Sequence, residues 1–173
     1  MTSLEVDVEL LILILPAWVA NATPAFLSKF VYFNHPIDFG KKFIDGRRML
    51  GDGKTIEGFL SGILAGTLVG YLLNTYSFHD PYASFVLATG SMLGDSIGSF
   101  MKRRIGYKRG QHAWGLDELP FIVTALVFYH LFYDQIITID NLQPLLFVLI
   151  ITFIAHNIAN IFFAWLASRF RLQ

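Results

Sequence analysis

The chain contains no cysteine, which excludes disulfides, thiolate catalysis and cysteine-based metal sites. Charge is scarce, at 15% of 173 residues. HExxH, GxSxG and a plausible Ser-His-Asp set are all missing, so metallopeptidase and serine hydrolase readings lack support. Its five histidines (His35, His79, His112, His130 and His156) are scattered, and only His112 lies beside a basic cluster. What is plentiful is apolar surface: 54% hydrophobic residues and 16% aromatics exceed what a soluble core of this size needs. The chain therefore reads as an integral membrane protein.

A bilayer core about 30 Å thick takes roughly 20 helical residues to cross. Five segments qualify, at about 6–28, 56–75, 82–101, 120–138 and 144–167, leaving no room for a separate soluble domain. The expected fold is an all-α integral membrane protein, with residues 1–173 forming one transmembrane domain of about five helices. The first segment has an acidic flank (Glu5, Asp7, Glu9) and no small-residue cleavage site, so it reads as a retained span rather than a signal peptide.

The 13 Lys and Arg fall in three places: six from Lys29 to Lys54, five from Lys102 to Arg109, and Arg169 with Arg171. Seven acids share those places (Asp38, Asp45, Asp52, Glu57, Asp95, Asp117, Glu118), for a balance of +6, and the remaining six (Glu5, Asp7, Glu9, Asp80, Asp134, Asp140) give the other side −6. An odd number of spans fits this split. The positive-inside rule then puts the amino terminus outside, the carboxyl terminus in the cytoplasm, and loops of about 29–55 and 102–119 on the cytoplasmic face of a cell membrane.

Gly58, Gly62, Gly66 and Gly70 recur every four residues on the second helix, as do Gly90, Gly94 and Gly98 on the third. Such stripes admit a close neighbouring backbone, and they serve a homodimer contact as readily as one within the chain. Ser91, Asp95 and Ser99 form a polar row one residue along, which turns Asp95 toward protein. A carboxylate within a span costs roughly 2.5 kcal/mol or more and marks either a site or a hydrogen bond to a neighbouring helix. Asn21 lies at similar depth on the first helix, where Pro16 and Pro24 each remove a backbone donor and predict a break or a kink. His156, Asn157 and Asn160 lie deeper on the fifth helix and suit helix-packing hydrogen bonds.

In the first loop, GRRMLGDGKT sets Asp52, Lys54 and Thr55 just ahead of a helix amino terminus, a position that favours phosphate. It is not a P-loop, because Arg48 stands where the first glycine would be. Thr55 and Glu57 also suit a cap that needs no ligand. The second loop packs Lys102, Arg103, Arg104, Lys108 and Arg109 between Asp95 and the pair Asp117-Glu118, ahead of Pro120. A basic cluster alone serves topology or anionic lipid, and the acidic pair alone serves a helix cap. Carboxylates on both sides of the cations fit Mg²⁺ with polyphosphate, because Mg²⁺ prefers hard oxygen ligands and shares them with substrate.

Gly94-Asp95, the run from Ser99 to Lys108, and Leu116-Asp117-Glu118-Leu119 resemble the signature of the CTP-dependent phosphatidate cytidylyltransferase family. The closer match is to its short archaeal branch, the CDP-archaeol synthases, through the added Asn21-x-x-Pro24 and the Asp45–Thr55 loop. The larger relatives carry a glycine-rich, histidine-containing stretch where this chain has RGQHAWGLDEL, a departure over Arg109 to Trp114. The resemblance implies transfer of a cytidylyl group from CTP to an unsaturated archaeal ether-lipid phosphate. It implies Asp95, Asp117 and Lys102 as catalytic residues and Mg²⁺ on Asp95 and Asp117, with Glu118 a third ligand. Asn21, Asp52, Lys54, Thr55, Ser99, Arg103, Arg104 and Lys108 would bind substrate. The partners so implied are CTP, the lipid phosphate and membrane lipids, with no nucleic acid. Two other readings stand beside it: a CDP-alcohol phosphotransferase, whose DGxxAR pattern is not met, and a small carrier or channel without catalysis.

Overall fold

A computed structural model describes residues 3–32, 34–76, 79–138, 140 and 142–170. Five helices run in order: α1 (Ser3–Leu27), α2 (Ile56–Asn74), α3 (Pro81–Arg104), α4 (Pro120–Phe132) and α5 (Leu142–Phe170). Among the described residues there is no strand, only two isolated antiparallel bridges, Pro36 with Thr55 and Lys42 with Arg48. The protein is an all-α integral membrane protein. Segments Val8–Leu27, Ile56–Asn74 and Leu142–Phe162 are long and apolar enough to cross a bilayer on their own. Arg171 and the side chains of Glu5 and Asp7, which entered the charge split, lie outside the described residues.

Local chemistry sets the helix ends. Asp80 accepts from the Tyr82 N–H at 2.7 Å, with Pro81 opening α3. Thr55 caps α2 by accepting from the Gly58 N–H at 3.2 Å. Beyond α3, Gly106 takes φ +93 and the Tyr107 N–H returns to the Lys102 carbonyl at 3.0 Å. That glycine turn ends the helix and directs the chain back across its end.

Helix α4 is shorter than the expected 120–138, with thirteen residues, a rise of about 20 Å. It stops where Tyr133 leaves helical geometry at φ −129, ψ −67 and the polar Asp134 and Gln135 follow. Helix α1 is unbroken through Pro16 and Pro24. The Ala20 carbonyl, whose usual donor is missing at Pro24, is approached by Gly62: a methyl there would meet that oxygen at 2.7 Å. The Leu13 and Ala17 carbonyls accept from the ring of His79 (2.9 Å) and the hydroxyl of Ser91 (2.8 Å). Neighbouring side chains thus secure a helix that proline would otherwise weaken.

Both glycine stripes are used inside the chain. Those of α2 meet α1 and α3, and Gly94 lies on the backbone of Pro120 and Phe121 so closely that no methyl fits. Ile14, Leu87, Ile122 and Val148, from four helices, fill the fully buried core. Trp18 donates to Thr152 at 3.0 Å and ties α1 to α5. The close α3–α4 approach brings Gly94, and with it Asp95, to the start of α4.

Candidate active site

The loops before α2 and before α4 meet at one end of the bundle. The first is organised by Asp38, a buried acid that accepts from Gly40, Leu50 and Gly51 N–H groups and from Arg48 through two bonds of 3.2 and 2.7 Å. Burial pushes the Asp38 carboxyl up, but these donors hold it well below the usual carboxylate range. Arg48, raised by the same bond, also reaches Asp52 at 2.7 Å. Arg47 donates to the Arg103 and Arg104 carbonyls at 3.2 and 2.5 Å, and so caps the end of α3.

Arg104 reaches the first loop in return. It pairs with Asp45 at 2.5 Å, donates to the Arg48 carbonyl, and lies over the rings of Phe43 and Phe100. Expected from sequence to bind substrate, it joins the two loops through both of its Nη groups. Thr55 likewise is a helix cap.

Two lysine–carboxylate pairs stand at the lip of the bundle. Lys54 contacts Asp95 at 2.5 Å, across 41 positions of sequence, and Lys102 pairs with Asp117. Asp117 also accepts from the Ala113 N–H at 2.8 Å. Burial raises its carboxyl, while Lys102 and that N–H outweigh the rise and hold it ionised below the ordinary range. Ser91 and Ser99 are buried and Asp95 is half-buried, as the polar row on α3 predicted.

Asn21 is half-buried on α1. The His156 ring lies 6.3 Å, centre to centre, from that of Phe121 at the start of α4, so α5 also approaches this end of α4. Asn157 bonds its own helix at Phe153, and Asn160 is exposed.

Between the loops lies a cavity of about 430 Å³, lined by Arg47, Arg48, Arg103, Lys108 and Arg109, with Asp52 as its acid. Arg103 and Lys108 were singled out from sequence; Arg47, Arg48 and Arg109 were not. The density of cations in GRRMLGDGK and KRRIGYKR was their signal. Which of them face one cavity depends on the fold of both loops.

The donor chemistry fits Mg²⁺ in part. Asp95 and Asp117 are hard oxygen donors, and each holds an ammonium where a metal cation would sit. Glu118 does not complete a set of three. It is fully buried, its Oε2 accepts from the Gly115 N–H at 2.6 Å, and its Oε1 lies 3.1 Å from His112 Nε2 without the geometry of a hydrogen bond. Among the described residues no three His, Asp or Glu side chains are grouped closely enough for a metal. Mg²⁺ needs no such cage, since one or two carboxylates with substrate phosphates suffice.

A cation-lined cavity and two lysine–carboxylate pairs at the end of a membrane bundle are the features of an intramembrane enzyme acting on phosphates. Residues 3–169 match the CarS-like family of CDP-archaeol synthases, and the chain belongs to that family. It is 43% identical over 150 residues to the CDP-archaeol synthase of Pyrobaculum islandicum, covering 86% of this chain and 88% of that one. With that of Pyrococcus horikoshii it shares 43% over 157 residues, 86% of each chain. A solved intramembrane enzyme for archaeal membrane lipid biosynthesis superposes with a TM-score of 0.76 at 39% identity, over 89% of this chain and 94% of that one. Membership of this family sets aside the phosphotransferase and carrier readings.

Proposed function

We propose that this chain transfers the cytidylyl group of CTP to 2,3-bis-O-geranylgeranyl-sn-glycerol 1-phosphate, releasing pyrophosphate and the CDP-activated ether lipid. A lipid phosphate oxygen attacks the α-phosphorus of CTP. The bond from that phosphorus to the bridging oxygen breaks, and pyrophosphate leaves with the electron pair. The nucleophile is already an oxyanion at neutral pH, so positioning and charge neutralisation suffice and no general base is needed. The observation that carries this reading is the cavity walled by five cations from the first loop, the end of α3 and the second loop, together with the pairing of Lys54 and Lys102 with Asp95 and Asp117.

In this reading Arg47, Arg48, Arg103, Lys108 and Arg109 hold the triphosphate. Lys54 and Lys102 neutralise the phosphates that enter between them and their aspartates. Asn21 and Ser99 line the membrane side, where the lipid phosphate arrives while its chains stay in the bilayer. Mg²⁺, held by Asp95 and Asp117, would offset charge on the phosphates, and Glu118 would brace the loop beside them. The loops face the cytoplasm, where the positive-inside rule puts them. A cysteine replacing Gln111 should therefore escape an impermeant thiol reagent in right-side-out vesicles, and its ready labelling would reverse the orientation.

The activity test incubates the purified chain with labelled CTP, Mg²⁺ and the geranylgeranyl-glycerol phosphate. Label should enter the lipid as pyrophosphate appears. Pyrophosphate release no greater than in an Asp95→Asn control would end this reading.

A further inference from the structure

Within the first loop, residues 41–49 form a small hairpin that the chemistry above does not fully use. Phe43 N–H donates to the Arg47 carbonyl at 2.8 Å and Met49 N–H to the Lys41 carbonyl at 3.1 Å, around a turn with Gly46 at φ +75. One side of it carries Arg47 and Arg48 into the cavity. Its other exposed side chains are apolar and basic: Ile44 at the tip is 94% exposed, and Lys41 and Lys42 are exposed on the segment that leads to it. Phe39, 69% exposed, is held at φ +46, a backbone region that disfavours a side chain. Exposed apolar side chains of this size are poorly suited to water.

Depth identifies what covers it. Phe43 meets Phe100 of α3 edge-on, with ring centres 5.2 Å apart. Phe100 lies one turn before the end of α3, so the hairpin runs alongside the helix rather than beyond it. At the same level, Ile97 and Met101 of α3 and Ile105 at its C-cap make an exposed apolar row with a spacing of four. Such a row on a membrane helix faces lipid, and the hairpin therefore stands at the level of the bilayer surface. Phe26 in the last turn of the span Val8–Leu27, with Phe30 and Tyr32 just after it, forms a second exposed aromatic patch at that end of the bundle. The ion pairs among the described residues use Arg48 and Arg104 of this region, and none uses Lys41 or Lys42.

We propose that the 41–49 hairpin docks onto the surrounding bilayer, with Ile44 and Phe39 at the boundary between headgroups and acyl chains and Lys41 and Lys42 on anionic headgroups. Because Arg47 and Arg48 share this hairpin, docking steadies the cation wall of the cavity, and anionic lipid tightens CTP binding. The apolar tip supplies insertion and the lysines supply charge, the two contributions that anchor an interfacial segment.

The missing native cysteine makes Ile44→Cys a unique attachment point for an environment-sensitive fluorophore, and Phe39→Cys supplies a second if the first fails to fold. In vesicles of phosphatidylcholine, with and without phosphatidylglycerol, the label should be quenched by a nitroxide on the upper acyl chain and shielded from aqueous iodide. Strong iodide quenching with no nitroxide effect would overturn the proposal. As a second readout, phosphatidylglycerol should lower the Kd for CTP, and Lys41→Gln/Lys42→Gln should lose that gain, by about fivefold per lysine. A double variant that keeps the full lipid response would overturn the role of the lysines. The quenching result is independent of catalysis, so it stands or falls apart from the cytidylyl reading.

Discussion

Arginine and lysine make different use of the acids in this protein. The arginine pairs, Arg48 with Asp38 and Arg104 with Asp45, sit within or between the loops and are backed by further bonds to backbone carbonyls or from backbone N–H groups. The lysine pairs, Lys54 with Asp95 and Lys102 with Asp117, sit where the loops meet the bundle. A guanidinium is a planar fork that locks geometry, whereas an ammonium is a mobile point charge on a flexible stem. The arginine pairs therefore build the site, and the lysine pairs are the ones a charged substrate and a metal can rearrange.

The largest effect expected is on turnover. Asp95→Asn and Asp117→Asn should each lower kcat by about 10³-fold in the pyrophosphate assay, with the fold intact by circular dichroism. Asp45→Asn losing as much would erase the division between the two kinds of pair.

Asp38→Asn should act on stability instead, by about 3 kcal/mol, because it removes the charge opposite Arg48 and replaces one of the two acceptor oxygens by an NH2 that faces donors. Its pH dependence has a definite sign. The folded carboxyl lies below its unfolded value, so its contribution is fully present above about pH 4 and is lost as pH falls through the depressed folded value. Melting curves of wild type and Asp38→Asn should thus differ by a constant amount from neutral pH down to that point and converge below it.

Arg48→Lys keeps the charge but not the fork, and a roughly tenfold rise in KM for CTP is expected. If Lys54→Arg were equally harmful, geometry rather than charge would matter at both kinds of pair. The smallest effect sharpens the same contrast: Thr55→Ala should cost about 1 kcal/mol in thermal unfolding and leave kcat unchanged, since its hydroxyl caps α2.

Much of this architecture is legible before folding is considered. Hydropathy located all five helices, and the periods of four along α3 set Gly94 against α4 and turned the Ser91, Asp95, Ser99 row inward. Helix α4 was drawn too long because Ile136 and Ile137 are apolar, while Tyr133 leaves the helix before them. Arg104 and Thr55 were expected to bind substrate, with a helix cap as the other reading of Thr55. Neither local sequence nor charge reveals that Asp45, 59 positions away, and the Gly58 N–H take up their polar groups. Asp38 counted only as one acid among seven until the fold placed four donor residues around it.

The sequence by itself determined the membrane environment, the number of helices, the clustering of cations against isolated acids, and hence polyphosphate chemistry. These follow from composition and from periodicity along one chain. Which acid meets which cation was decided by tertiary structure alone. Lys54 with Asp95, Lys102 with Asp117 and the shared wall of Arg47, Arg48, Arg103, Lys108 and Arg109 depend on the close crossing of α3 and α4 and on two loops closing over each other. Side chains far apart in sequence meet only when backbones approach, and here glycine sets the distance of that approach.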